Sequence, residues 1–127
     1  MRIVATLIIS LLGFTSFSQP NCKNFKTGKF QNIENGKVSS LIERNETSQI
    51  ETVGDIKVKL QIVWINACTY RLKFIKGNEA FWKSRPKNAP TPDLIVTITK
   101  TNENSYFQEA KSEGSESVYK SEMRKVQ

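Results

Sequence analysis

The stretch Ile56-Lys57-Val58-Lys59-Leu60-Gln61-Ile62-Val63-Trp64-Ile65 decides the fold. Apolar side chains recur at Ile56, Val58, Leu60, Ile62 and Trp64, with Lys57, Lys59 and Gln61 between them. Period two is the pattern of a strand with one face buried and one wet. Tyr70, Leu72 and Phe74 continue it, with Arg71 and Lys73 on the other face. The two runs read as an antiparallel hairpin turning within 66–69. A three-residue connection would set Trp64 opposite Leu72 and Ile62 opposite Phe74, whereas a one-residue slip would set Trp64 against Arg71. Fully extended, residues 56–66 would span about 35 Å, so the strand is expected to bend or coil as strands of small barrels do. Val63 and Ile65 make its last part apolar on both faces. The expectation is that the N-terminal segment covers them; the alternative is two singly exposed aliphatics.

Outward from the hairpin, strands are expected over 38–44, 47–53, 93–99, 105–110 and 118–126. Leu94, Val96 and Ile98 point inward in the third of these. In the last, Tyr119, Met123 and Val126 also fit helical spacing, and strand is chosen because the rest is a strand meander. Asn35-Gly36, Asn45-Glu46, Val53-Gly54-Asp55 and Asn102-Glu103-Asn104 supply turns. Phe25 and Phe30 lie on opposite parities, so one flat strand cannot bury both, and Gly28 between them marks a bulge or bend. Pro86, Pro90 and Pro92 keep 77–92 out of any ladder, with one helical turn expected over 79–83. The fold class is all-β: a single antiparallel meander of seven or eight strands forming a small barrel, with an open β-sandwich as the alternative.

The chain has 127 residues, room for one domain. Met1-Arg2, the apolar run 3–14 and the small residues around Ser16-Phe17-Ser18 read as a secretory signal peptide over residues 1–18, leaving 19–127 as the β-domain. The apolar run is short for a membrane span, so no stable insertion is expected after its removal. The expected location is periplasmic or secreted. Losing Arg2 with that peptide lowers the net charge from +7 to +6, which then speaks for solubility and a bias towards anionic surfaces, not for nucleic acid. Export also places Cys22 and Cys68 in an oxidising compartment, where an even pair in a small domain forms a disulfide.

The chain contains no histidine. That excludes the common zinc sites, the Ser-His-Asp triad and histidine acid–base chemistry. The scattered glycines make no phosphate-cradling loop. Glu43, Glu46 and Glu51 could in principle supply paired carboxylates, but Glu43 and Glu51 flank a turn, and carboxylates on exposed strands are usually solubilising. No enzyme activity, cofactor or metal is expected.

Cys22, Phe25, Lys26, Gly28 and Phe30, followed by a long strand ending in Trp64, Cys68, Tyr70 and Leu72, resemble a group of small exported proteins of Bacteroidota with no established activity. Gly28-Lys29-Phe30 is similar to the Gly-x-Trp of lipocalin-like (calycin) barrels, with phenylalanine in place of tryptophan. That resemblance implies a late arginine packed across the ring, for which Arg124 is the candidate. It also implies an apolar interior, built here from Ile56, Val58, Leu60, Ile62, Trp64, Leu72, Phe74, Val96 and Ile98, either filled or holding a small apolar ligand.

The functional expectation is therefore non-catalytic: binding of a small apolar ligand, or a purely packed scaffold. The alternative is a cell-envelope module that holds an envelope protein or anionic polymer. Trp64, Phe81 and Trp82 are the candidate ligand or partner contacts. Lys57, Lys59, Arg71 and Lys73 are the candidate anion contacts.

Overall fold

The computed structural model describes residues 20–127; the signal peptide expected over 1–18 lies outside them. A 3-10 turn over Cys22–Phe25 precedes eight strands: β1 (Gly28–Glu34), β2 (Lys37–Arg44), β3 (Ser48–Val53), β4 (Ile56–Asn66), β5 (Thr69–Gly77), β6 (Leu94–Thr101), β7 (Ser105–Ser112) and β8 (Val118–Lys125). One short helix, α1 (Glu79–Lys83), lies between β5 and β6. Each strand pairs antiparallel with its sequence neighbour, and β8 pairs with β1, so the meander closes into a barrel. Closure removes the unpaired edges that an open sheet would have to protect.

Local chemistry explains the corners. Asn35 and Gly36 both take positive φ, at 51° and 77°, the two-residue turn that matches the twist of a hairpin. Gly28 has φ 133°. A Cβ there would lie 2.7 Å from the Gln127 carbonyl oxygen, so glycine is what lets the C-terminus cross β1. Beside it the Lys29 N–H donates to that carbonyl at 2.8 Å and the Val126 N–H donates to the Lys29 carbonyl at 2.8 Å. The last segment is a strand, and of its three residues at helical spacing only Met123 is buried.

Three details depart from expectation. The β4–β5 hairpin turns more tightly: Asn66 pairs with Thr69, Trp64 with Tyr70 and Ile62 with Leu72, with a bulge between Trp64 and Asn66. The Asn66 side chain accepts from the Cys68 N–H at 3.0 Å and holds that turn. The register is displaced by two residues, so the inward face is unchanged. Secondly, Val63 and Ile65 are not covered; they are 41% and 53% exposed. The N-terminal segment buries more surface by entering the barrel end. Its 3-10 turn sets Cys22 and Phe25 on one side, both buried. Phe25 then lies 5.1 Å from Tyr106 and 6.5 Å from Phe30, ring centre to ring centre. Thirdly, the interior is not uniformly apolar: Ser40, Arg44, Gln49, Ser105 and Gln108 are buried with it.

The two ends differ. The plug, the C-terminus and the turns after β2, β4 and β6 close one. The disulfide Cys22–Cys68 fastens the plug to the β4–β5 turn, with Cα atoms 5.4 Å apart. The turns after β1 and β3, the α1 loop and the turn after β7 surround the other end, which stays open. Among the described residues no helix is long and apolar enough to cross a membrane.

Candidate functional site

The site begins with Arg44. On β2 the inward parity runs Ser40, Ile42, Arg44, and all three are buried. The guanidinium uses every face. Its Nε donates to Gln49 Oε1 at 2.8 Å and Nη1 to the Phe25 carbonyl at 2.8 Å. Its Nη2 donates to the Tyr70 and Tyr106 hydroxyls at 3.1 and 3.0 Å. The flat side lies 4.6 Å from the Phe30 ring centre and 4.8 Å from that of Tyr70. This corrects the expectation for Arg124, which is exposed on β8. Inward-facing Arg44 reaches the Phe30 ring from the adjacent strand, where Phe30 pairs with Ile42.

Bonds extend from Arg44 towards the open end. The Tyr70 and Tyr106 oxygens are 2.7 Å apart, and the Tyr70 hydroxyl donates to Gln108 Oε1 at 3.0 Å. Gln108 Nε2 donates to Ser121 Oγ at 3.1 Å, and Gln49 Nε2 donates to Glu51 at 3.1 Å. Burial works against the charge on Arg44, and the tyrosine oxygens more than offset it, leaving its pKa above the ordinary value. Burial raises the Tyr70 pKa well above its ordinary value, with Arg44 opposing. Burial also raises the Glu51 carboxyl, against the Gln49 hydrogen bond and the Arg44 charge. The network is therefore a fixed polar floor: two hydrogen-bonded phenols, a permanent cation and a half-buried carboxyl at its upper edge.

Above that floor is a cavity of about 180 Å³. Gln49, Tyr70 and Gln108 line it alongside apolar walls such as Ile42, Leu72 and Val96. Asn32 also lines it. Its Nδ2 donates to Glu34 at 3.3 Å, which fixes the amide orientation, and its buried Oδ1 has no hydrogen-bond partner. An unpaired buried polar atom costs roughly 1–3 kcal/mol. Glu51, Leu72 and Leu94 are shared with a second recess of about 320 Å³ towards the mouth, under α1 and the loop after it. Small-molecule pockets run from roughly 300 to 1,000 Å³, so this recess is at the small end of the range.

The aromatic candidates separate. Asn78 caps α1 by accepting from the Phe81 N–H at 3.0 Å. Phe81 turns inward, 7% exposed, and stacks on Phe74 with ring centres 5.4 Å apart. Trp82 is 46% exposed beside it. Trp64 sits near the closed end, its ring centre 4.7 Å from that of Tyr70 and 4.2 Å from Lys26 Nζ. Only Phe81 of the three lines the recess.

The basic candidates separate too. Arg71 and Lys73 both reach Asp93, at 2.8 and 3.4 Å, and Arg71 also reaches Glu113 at 3.1 Å. The hydrogen bond from Arg71 holds the Asp93 carboxyl below its ordinary pKa. Lys57 and Lys59 lie further along β4, paired across to Thr52 and Ile50. Glu43 lies opposite Ile50, while Glu51 lies opposite the buried Ile42 and lines the cavity, so these carboxylates belong to opposite faces of the sheet.

Sequence reading missed Arg44, Gln49, Tyr106, Gln108 and Arg85 as site residues. The signal for Arg44 was its inward parity with Ile42; for Tyr106 and Gln108 it was the alternation of β7. What the fold and its open end define is a closed eight-stranded meander barrel with a half-polar cup. Comparison with protein-family models, with curated proteins and with solved structures finds no match.

Proposed function

We propose that this chain is an exported, non-catalytic binding barrel that takes one small ligand into its open end. The observation that supports it most is the pair of adjoining volumes, about 180 and 320 Å³, above a floor fixed by Arg44. A floor already hydrogen-bonded needs no reorganisation when a ligand arrives, which favours binding. The half-polar lining shifts the expected ligand from a purely apolar one to a molecule with an apolar body and a hydrogen-bonding end. The alternative, an envelope module using the α1 loop, is left with Trp82 as its exposed aromatic, because Phe81 is committed to the recess.

Native mass spectrometry of protein purified from its own envelope tests the reading. Retention of one small molecule by wild type, and its loss in Leu94→Trp, is expected. Leu94 lines both volumes, and the larger indole intrudes on each; circular dichroism checks that the variant folds. An empty wild-type barrel, or retention unaffected by Leu94→Trp, overturns the reading.

A further inference from the structure

The structure assigns to Arg85 the role of reading a single anionic group, a carboxylate, on a small apolar ligand seated in the 320 Å³ recess. This rests on the binding reading above and names its ligand class.

The recess is apolar around Arg85, with Val58, Leu60, Phe74, Phe81 and Pro92 in its walls. Arg85 and Glu51 are its two charged lining residues. The Arg85 guanidinium is held in place: its carbon lies 4.8 Å from the Phe81 ring centre, and Nη2 donates to the Pro90 carbonyl at 2.9 Å. Among the described residues it forms no ion pair, and its buried Nε has no acceptor. Arg71, by contrast, holds two carboxylates.

A planar guanidinium offers parallel N–H donors that match a carboxylate. Apolar walls on the other sides suit a short aliphatic or aromatic body. One cation suits one negative charge. A phosphate monoester, with about two, would find Arg85 alone and Glu51 opposed to it. Glu51 accepts from Gln49 and faces Arg44 across that amide, so its charge is partly compensated from below. The excess of basic residues, +7 over the whole chain and +6 without Arg2, also raises the local concentration of anions.

Isothermal titration with octanoate and 4-phenylbutyrate, against octanamide and 4-phenylbutyramide, tests the assignment. Each carboxylate is expected to bind wild type at least tenfold more tightly than its amide. In Arg85→Gln that preference should disappear, the acid losing at least tenfold more affinity than its amide; Arg85→Lys should keep part of it. Thermal melts check that both variants fold. Equal binding of acid and amide to wild type, a preference that survives Arg85→Gln, or no binding of any probe overturns it. A native small molecule expelled by Leu94→Trp but retained at full occupancy by Arg85→Gln would overturn this assignment and leave the binding barrel standing. A wild type that retains no molecule overturns both.

Discussion

The guanidinium of Arg44 lies 4.6 Å from the ring centre of Phe30, and both side chains are buried. The cation that covers the first-strand aromatic comes from β2, the next strand in the chain. It ties three elements to one point: the plug through the Phe25 carbonyl, β5 through Tyr70 and β7 through Tyr106. The closed end of the barrel and the floor of the cup are thus one structure.

Arg44→Met should be severely destabilising. It removes the donors to two phenols, a carbonyl and Gln49, all in the interior. Each buried acceptor left without its donor costs roughly 1–3 kcal/mol, so together they take a large part of the ~5–15 kcal/mol that holds a domain together. Arg44→Lys keeps the charge but not the planar fork, so an intermediate loss is expected. Urea midpoints at constant slope measure both; a loss below about 1 kcal/mol for Arg44→Met would show that the network is not structural.

Glu51 sets a pH dependence of definite sign. Its folded pKa is raised, so the folded state binds more protons than the unfolded state between the ordinary carboxyl value and the raised one. Stability from this group is present below the ordinary value and is lost as pH rises through that window. Glu51→Gln removes the loss. The variant should therefore gain stability relative to wild type from pH 4 to pH 7, measured by urea unfolding at each pH. A difference that is flat, or that falls with pH, would contradict the assignment.

The plug makes the disulfide more than a local staple. Cys22 and Cys68 are 46 residues apart in sequence, and a closed loop of that size stabilises by roughly 4 kcal/mol in the chain-entropy model. Phe25→Ala should cost about 3–5 kcal/mol by emptying the barrel end. Because Cys22 and Phe25 sit on one 3-10 turn, the two losses should add to less than their sum. Denaturant unfolding of Cys22→Ser, of Cys22→Ser/Cys68→Ser, of Phe25→Ala and of the combined variants gives the coupling. Non-reduced mass spectrometry should show the loss of two hydrogens.

Much of the barrel was legible in the sequence because strand periodicity is local. Residues 56–62 alternate, and β4 spans them; Cys22 and Cys68 are the only cysteines, and they pair. The β4–β5 register was not legible, since a bulge near Ile65 and a two-residue turn at Ala67-Cys68 shift the pairing by two without changing the face. The plug was missed because Val63 and Ile65 looked like the surface needing cover, whereas the barrel end beside the β4–β5 turn offered Phe25 a fully dry site. The polar floor was missed because period two shows which residues point inward but not that Arg44, Tyr70 and Tyr106, from strands distant in sequence, meet there. Arg85 was legible only as one positive charge in a proline-rich loop. Its place beside Phe81 depends on how that loop folds over the mouth.

The crystal structure of protein purified from its own envelope, without refolding or added ligand, tests the binding cup most directly. Expected is continuous density for one non-solvent molecule in the recess beside Arg85, Phe81 and Leu94, above an intact Arg44–Tyr70–Tyr106 floor. A mouth collapsed so that Phe81 and Leu94 close onto the floor, with no volume between them, would contradict it.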